Sequence, residues 1–234
     1  MNEPTTRDLT AEALAELKPP AARGILFVVS SPSGGGKGTL IRRAVSSVPR
    51  LGYSVSWTTR AAREGERDGV NYHFVSAAEF DEARERGEFV EWAVVHGNCY
   101  GTSRPTVERE LHAGRDVVLE IDVQGAASIR RARLDSVSVF ILPPSFDVLR
   151  ARLIARNTES VEQLTVRLGN SRAEVEHFRE FDYLVLNDEV ERAAAQLTSI
   201  VTAERARRER QAWLAERVLT TFPGAGGVKQ SAAD

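Results

Sequence analysis

Short apolar runs alternate with amphipathic segments along most of the chain. Five runs rich in β-branched residues are typical of buried strands, at residues 25–29, 53–59, 117–122, 137–142 and 183–186. Helical patterns follow the first run and the last three, and the final pattern predicts one long helix over 190–219. Strands and helices that alternate in this way predict an α/β fold whose parallel sheet has helices on both faces.

Residues 54–104 interrupt the alternation with shorter strands and tight turns. We expect a strand at 72–75 and a hairpin built from 89–95 and 99–101. Between them, Ser76 and Glu79 have the spacing of a capping box, which predicts the start of a helix. The stretch therefore predicts a small, mostly β insertion in the larger domain.

The two ends of the chain differ from its middle. Residues 1–23 are expected to form an N-terminal extension with a short helix near 10–18, and the domain itself spans 24–222. The glycine-rich segment 223–234 is expected to be a disordered tail.

Composition narrows the class of protein. The 234 residues carry 31 Lys+Arg against 33 Asp+Glu, a balance that argues against a nucleic-acid or membrane-surface partner. No apolar run approaches the roughly 20 residues of a membrane helix, and the start of the chain lacks the apolar segment of a signal peptide. One cysteine, Cys99, fits a reducing compartment, so we expect a cytoplasmic protein, either a monomer or a homo-oligomer.

The segment between the first strand and its helix carries the strongest chemical signal. It reads Ser31-Pro32-Ser33-Gly34-Gly35-Gly36-Lys37-Gly38-Thr39. Glycines let successive N–H groups converge on phosphate oxygens, and Lys37 can reach the β- and γ-phosphates of a nucleotide. Of the 31 Lys and Arg residues, 28 are arginine, and Lys37 is the only lysine between Lys18 and Lys229. The bland alternative is an ordinary flexible turn.

Two positions depart from the usual phosphate-loop pattern. Ser31 replaces the first glycine, and Gly38 replaces the hydroxyl residue that binds Mg²⁺. Thr39 offers a hydroxyl one residue later, and Asp122, at the end of a predicted strand, offers a carboxylate, so both are candidate Mg²⁺ ligands, directly or through water. Glu120 faces the same side as Asp122 by strand period. Either carboxylate could instead cap the strand or pair with an arginine.

Arginines form two further candidate groups. Arg60 and Arg63 follow a strand and hydroxyl residues, and two guanidinium groups can bind a phosphate bidentately. Arg152, Arg156 and Arg167 lie on charged helical segments that could form a mobile lid supplying charge to a transition state. A solvated helix face is the alternative for the lid arginines.

Taken together, these segments resemble the guanylate kinase family of the bacterial type over about residues 24–210. The matching segments are 31–37, 58–60, 63–66, 72–75, 97–103, 121–126, 140–145 and 186–188. The resemblance implies a P-loop kinase with a core, a GMP-binding insertion at about 54–104 and a helical lid at about 146–177. It also implies transfer of the γ-phosphoryl group of ATP to GMP, and to dGMP, with Mg²⁺.

The resemblance also implies roles for individual residues. Catalytic charge would come from Lys37, Arg60, Arg152, Arg156 and Arg167. ATP would be bound by residues 31–39 and, near the adenine, by Asn187. The GMP phosphate would contact Arg60, Arg63, Tyr72 and Tyr100, and the guanine would contact Ser56, Glu91, Thr102 and Asp122.

Base chemistry agrees with this role for Glu91. Guanine presents N1–H and an exocyclic amine side by side, and a carboxylate can accept both, whereas adenine presents an acceptor at N1. A buried carboxylate facing that acceptor would be unpaired, at a cost of about 1–3 kcal/mol.

The sequence departs from the family pattern at a few positions. Ala61-Ala62 lacks a usual proline, Cys99 replaces a frequent tyrosine, and Asn157 replaces a usual glycine. Glu120 stands where the family also uses aspartate.

Three other functions remain open from the sequence. The first is a guanylate-kinase-like binding module without activity, and the second is a kinase for another phosphorylated acceptor such as a ribose bisphosphate. The third is RNA binding through the basic residues of 205–210, although Glu209 interrupts that run.

Overall fold

The computed structural model describes residues 23–95, 97–155 and 161–222. Residues 23–201 form one compact unit, and the described residues from 202 onward belong to a second. The predicted N-terminal extension with its helix, the predicted tail, and the positions Arg156 and Asn157 lie outside the described residues.

Nine strands occur in the described ranges. They are β1 (Leu26–Ser30), β2 (Leu51–Tyr53), β3 (Trp57–Thr58), β4 (His73–Phe74), β5 (Phe89–Val95), β6 (Asn98–Ser103), β7 (Asp116–Glu120), β8 (Val137–Leu142) and β9 (Tyr183–Leu186). The helices in these ranges are α1 (Lys37–Ser47), α2 (Ala77–Glu85), α3 (Arg104–His112), α4 (Val123–Arg131), α5 (Phe146–Ala155), α6 (Val161–Glu176), α7 (Val190–Arg205) and α8 (Arg208–Leu219), with a 3₁₀ turn at His177–Glu180.

The strand β1 lies at the centre of a five-stranded parallel sheet in the order β2-β7-β1-β8-β9. Its side chains alternate between two cores, as the period of a strand requires. Phe27 packs with residues of α1 and α7, and Val28 packs with residues of α3 and α4. The predicted parallel sheet with helices on both faces is therefore confirmed.

A second sheet, in the order β4-β3-β6-β5, lies where the insertion was predicted. Its strands β3 and β4 have two residues each, whereas β5 and β6 have seven and six. The helix α2 covers a small core centred on Phe80, Ala83 and Phe89. The capping box of α2 is present, because Ser76 and Glu79 each accept from the other's backbone N–H.

Two predicted elements differ from the structure, and one helix was not predicted. The single strand at 53–59 is wrong: β2 pairs with β7 and β3 pairs with β6, so the chain changes sheets between them. The single helix at 190–219 is also wrong, because Arg207 has an extended ψ of 139° that separates α7 from α8. The helix α3 was not predicted; it begins at Ser103, whose hydroxyl accepts from Thr106 N–H, with Pro105 in the first turn.

Within the described ranges, every helix is too short or too polar to cross a lipid bilayer.

Replacing Phe80 by alanine should lower the free energy of unfolding by about 3–5 kcal/mol, because a buried ring is lost and a cavity remains. Phe80 is 0% exposed and stacks on Phe89 at a centroid distance of 4.5 Å. Denaturant unfolding followed by circular dichroism measures the loss. Phe146 is 55% exposed, which makes Phe146→Ala the matched control, with an expected change within about 0.5 kcal/mol. Equal losses in the two variants would contradict the buried role of Phe80.

Candidate active site

The loop from Ser31 to Gly36 leaves the carboxyl end of β1 and enters α1 at Lys37. Gly34 and Gly36 have φ angles of 86° and 91°, a left-handed conformation that favours glycine. A side chain at position 36 would also collide with the amide of Asn187. A glycine-rich turn at the amino end of a helix is a setting in which backbone N–H groups bind phosphate oxygens. In this structure the N–H of Gly35 donates to the carbonyl of Pro32 at 2.9 Å.

Two residues predicted from the sequence, Asn187 and Arg152, hold this loop through hydrogen bonds. Asn187 is buried, and its Nδ2 donates to the carbonyl of Gly35 at 2.8 Å. Arg152 in turn donates from Nη2 to the carbonyl of Asn187 at 2.8 Å. The structure therefore brings Arg152 and Asn187 to the phosphate loop, whereas Arg156 lies outside the described residues.

The helix α6 contacts the same loop at Ser33. Arg167 donates from Nη1 to the Ser33 hydroxyl at 3.3 Å, which places a predicted lid arginine at the loop. The N–H of Ser33 donates to Oε2 of Glu174 at 2.9 Å. Sequence reasoning missed Glu174, because a glutamate on a charged helix carries no local signal of where it points.

A cavity of about 270 Å³ joins the loop to the second sheet. Of the predicted site residues, it is lined by Ser31, Ser33, Gly34, Lys37, Ser56, Arg60, Arg63, Tyr72, Glu91, Tyr100, Asp122 and Arg167. The phosphate loop and the predicted phosphate-binding arginines of the insertion therefore share one cavity.

Arg60 is held by a carboxylate and an aromatic ring. Its Nη2 donates to both oxygens of Glu66 at 2.9 Å, and its guanidinium lies 5.4 Å from the centre of the Tyr72 ring. Burial lowers the pKa of Arg60, but the hydrogen bonds with Glu66 and Tyr100 outweigh it and raise that pKa. Glu66 had no predicted role, although its position in the Arg63-Glu64-Gly65-Glu66 segment was the available signal.

Glu91 is a buried acid at the other end of the cavity. It is 6% exposed and its Oε1 accepts from the Thr102 hydroxyl at 2.6 Å. Gly125 makes room for the carboxylate, since a Cβ there would lie 2.6 Å from Oε2. Burial raises the pKa of Glu91 to about 7, against the lowering effect of the Thr102 hydroxyl and with a smaller raising effect from Asp122.

Asp122 does not end a strand as the sequence suggested. The strand β7 stops at Glu120, and Asp122 caps α4 by accepting from Gly125 N–H at 2.8 Å on Oδ1. Its carboxylate still lines the cavity, and its Oδ2 lies 3.5 Å from the amide of Gln124. Asp122 serves as a helix cap because its carboxylate accepts from the N–H of Gly125, which α4 would otherwise leave without a hydrogen bond.

Glu120 stands at the carboxyl end of β7 and contributes to the same cavity. Tyr53 ends the neighbouring strand β2 and pairs with Val118 of β7, two residues before Glu120. Burial and the charge of Glu120 raise the pKa of the Tyr53 hydroxyl well above its ordinary value. Thr39, by contrast, accepts a long hydrogen bond of 3.4 Å from Arg42 on α1.

Comparison with known proteins identifies the family. A sequence model described as guanylate kinase matches residues 23–204. The chain belongs to the guanylate kinase family. It is 47% identical over 184 residues to guanylate kinase of Chromobacterium violaceum, covering 79% of this chain and 88% of that one. It is 48% identical over 199 residues to guanylate kinase of Rhizobium meliloti, covering 85% and 91%.

Structural comparison agrees with the sequence match. The crystal structure of guanylate kinase from Anaplasma phagocytophilum aligns with a TM-score of 0.70 at 34% identity. That alignment covers 87% of this chain and 97% of the other. The resemblance noted from the sequence segments is confirmed, and the α/β fold follows with it.

The stability of the ligand-free protein should depend on the ionisation of Glu91. An unfolded chain ionises this acid near its ordinary pKa of 4.5, whereas the folded protein holds the proton up to about pH 7. Wild type should therefore lose stability as the pH rises through that window. Glu91→Gln has no such titration, so its stability relative to wild type should increase from about pH 5 to about pH 8.

Denaturant unfolding at a series of pH values measures this difference. Glu85→Gln changes an exposed glutamate on α2 and provides the control, with a difference from wild type that stays flat across the window. A flat difference for Glu91→Gln would contradict the raised pKa.

Replacing Glu174 by glutamine should tighten binding of metal-free ADP by about three- to tenfold. The carboxylate of Glu174 occupies the Ser33 N–H, a donor that a phosphate oxygen would otherwise use, and glutamine competes less strongly. Isothermal titration calorimetry in EDTA measures the affinity. Glu176→Gln, an exposed change on the same helix, should leave it unchanged. Weaker ADP binding by Glu174→Gln would mean that this carboxylate supports the loop rather than competing for it.

Proposed function

We propose that the cavity binds ATP at the phosphate loop and GMP at the insertion, and that each predicted residue has the role set out below. The protein transfers the γ-phosphoryl group of ATP to GMP and produces ADP and GDP. The observation that carries the assignment of residues is the buried acid Glu91, which lines the same cavity as Lys37 and Arg60.

On the GMP side, we assign guanine recognition to Glu91 with Ser56, Thr102 and Asp122. The ionised carboxylate of Glu91 would accept N1–H and the exocyclic amine of guanine. Because burial raises the pKa of Glu91 to about 7, two donors from the base would favour its ionised form. Adenine offers no such pair of donors, so the same burial would penalise AMP.

The GMP phosphate is assigned to Arg60, Arg63, Tyr72 and Tyr100. All four line the cavity, and Tyr72 and Tyr100 contact each other with ring centroids 5.9 Å apart. Glu66 already accepts from the Arg60 guanidinium, which is therefore oriented before a phosphate arrives. Since these contacts involve base and phosphate, we also expect dGMP to be a substrate.

On the ATP side, we assign the triphosphate to residues 31–39, with the Lys37 ammonium and the backbone N–H groups other than that of Pro32, which has none, as the donors. Arg152 and Arg167, which contact Asn187 and the loop, would supply positive charge to the phosphoryl group in transit, together with Arg156. Asn187 would lie near the adenine, and among the described residues its Oδ1 is buried without a hydrogen-bond partner, so an acceptor is available there.

We assign the Mg²⁺ that accompanies ATP to two candidate oxygen donors, the Thr39 hydroxyl and the Asp122 carboxylate. Thr39 and Asp122 would hold it, directly or through water, and the described residues contain no cluster of three or more acidic, histidine or cysteine side chains. Such sparse protein ligation is typical of Mg²⁺, which keeps its waters and binds substrate phosphates. When bound, the ion neutralises charge that develops on the transferring phosphoryl group.

The chemical step requires positioning more than proton transfer. A GMP phosphate oxygen is ionised near neutral pH and attacks the γ-phosphorus of ATP in line, while the bond to the β-phosphate oxygen breaks. No general base is needed for this step. Lys37 and the lid arginines stabilise the charge, and closure of the insertion and the lid over the cavity would exclude water.

Coupled ADP release with ATP and Mg²⁺ tests the assignment, with GMP, dGMP, AMP, CMP and UMP as acceptors in turn. We expect rapid turnover with GMP and dGMP alone. Lys37→Ala should lower turnover by about 10³-fold or more while circular dichroism stays unchanged. Arg172→Ala, which removes an exposed cation on α6, is the control and should retain wild-type activity.

Other outcomes would separate the alternatives. Binding of GMP by a folded protein without turnover would favour the inactive binding module. Turnover with another acceptor would support the phosphate arginines but overturn the role of Glu91. Near-wild-type activity of Lys37→Ala would overturn the assignment of the phosphate loop.

A further inference from the structure

A glycine in the first turn of α4 has no conformational reason to be glycine. Gly125 is buried within the helix, and it is not among the glycines with a positive φ. Alanine is more favourable than glycine at such a helical position. The reason for glycine at position 125 therefore lies in what packs against the helix rather than in the helix itself.

The side chain that occupies the space beside Gly125 is that of Glu91. A Cβ built on Gly125 would lie 2.6 Å from Oε2 and 3.3 Å from Cδ of Glu91, and 3.2 Å from the Cβ of Ile121. A real Cβ essentially never approaches another heavy atom within 3.0 Å, so something would have to move. Since Oε2 ends a flexible side chain, a methyl group at position 125 would displace the Glu91 carboxylate.

The strand β5 carries a bulge immediately before Glu91. Phe89 pairs with Ser103 and Glu91 pairs with Thr102, so two steps along β5 match one step along β6. A bulge of this kind changes the direction of the side chains beside it. Thr102, which is 0% exposed, then donates to Oε1 of Glu91 at 2.6 Å. One carboxylate oxygen is therefore held by a hydrogen bond, and the other lies in the space left by Gly125.

The contact between Glu91 and Gly125 joins the two sheets of the domain. The strand β5 belongs to the second sheet, whereas α4 follows β7 of the parallel sheet, and the two elements pack together. Glu91 also lines the cavity that contains Lys37 and Arg60. The position of its carboxylate in that cavity thus depends on a residue of the larger domain as well as on the insertion.

We propose that Gly125 is a positioning residue for guanine recognition: its missing side chain leaves the space in which the Glu91 carboxylate lies, and this space together with the Thr102 hydroxyl orients both carboxylate oxygens toward the base. The inference rests on the proposed binding of GMP through Glu91. It adds to that proposal a residue that acts through Glu91 without contacting the nucleotide.

Calorimetric titration with GMP in the absence of ATP tests the role of Gly125. Gly125→Ala should raise the dissociation constant of GMP by about tenfold or more, because the displaced carboxylate no longer accepts both donors of guanine. The dissociation constant of ADP should stay within about twofold of wild type. Gly169→Ala is the matched control, since a Cβ on this exposed glycine of α6 would meet nothing within 4 Å. Wild-type GMP affinity in Gly125→Ala would overturn the proposal.

A shorter acid at position 91 separates positioning from a general defect of α4. Glu91→Asp withdraws the carboxylate from Gly125 and should itself weaken GMP binding. In that background Gly125→Ala should cost less than about threefold further, because the added methyl group no longer meets a carboxylate. An equal loss in both backgrounds would show that glycine serves the helix alone and would overturn the proposal.

The same pair of changes covers a failure to fold, followed by circular dichroism. If Gly125→Ala alone does not fold, Glu91→Asp should restore folding, since it removes the atom nearest to the added methyl group. A double variant that still does not fold would overturn the contact as the reason for glycine.

Steady-state kinetics gives a second readout. Gly125→Ala should raise KM for GMP and leave kcat within about threefold, because the groups of the phosphate loop are unchanged. A fall in kcat as large as the fall in kcat/KM would overturn a role limited to base recognition. Wild type that neither binds GMP nor releases ADP in its presence would overturn the proposed function itself, whereas active wild type with an unaffected Gly125→Ala variant would overturn this inference alone.

Discussion

The central strand β1 is the constraint on which the phosphate-loop side of the cleft depends. It hydrogen-bonds to β7 on one side and to β8 on the other, and both of its faces are buried. Its carboxyl end therefore has little freedom, and the phosphate loop starts from a fixed point. The end of β7 delivers Glu120 beside that point, and the segment after β9 delivers Asn187 to the carbonyl of Gly35. The geometry of the loop is a consequence of sheet order as much as of its glycines.

Carboxylates accept hydrogen bonds from several groups of this site that could bind phosphate. Glu66 holds Arg60, and Glu174 accepts from Ser33 in the loop. Each of these contacts keeps a phosphate-binding group oriented and lowers the repulsion among clustered positive charges. Nucleotide binding would then exchange one anion for another rather than neutralise bare cations, which reduces the net gain from each contact but preserves the arrangement.

Features that depend on neighbours in sequence could be predicted, and features that depend on distant partners could not. The strand β1, the phosphate loop and the capping box at Ser76 carry local signals of apolar run, glycine spacing and cap chemistry. The run at 53–59 looks continuous in sequence, yet the chain passes from one sheet to the other within it, because hydrogen-bond partners from β7 and β6 decide its pairing. The break between α7 and α8 at Arg207 has no proline or glycine near it, so the sequence pattern did not predict it.

The site divides in the same way. Lys37, Arg60 and Glu91 were expected from motif and resemblance, and the structure brings them to one cavity. The contact of Glu174 with Ser33 joins residues 141 positions apart, so no local pattern could reveal it, whereas Glu66 lies only six positions from Arg60. Asp122 was placed on a strand because its apolar neighbours continue the pattern, but the first turn of α4 takes its side chain as a cap.

Because lysine is nearly absent from the chain, the phosphate loop carries a reactive group, a primary amine, that its surroundings lack. Between residues 23 and 222 the only side-chain amine is that of Lys37, which lines the cavity, while every other basic side chain there is a guanidinium or an imidazole. Amines are acylated and form Schiff bases under conditions that leave guanidinium groups intact. Amine-directed labelling or cross-linking of these residues would therefore concentrate on Lys37, the residue proposed to bind phosphate.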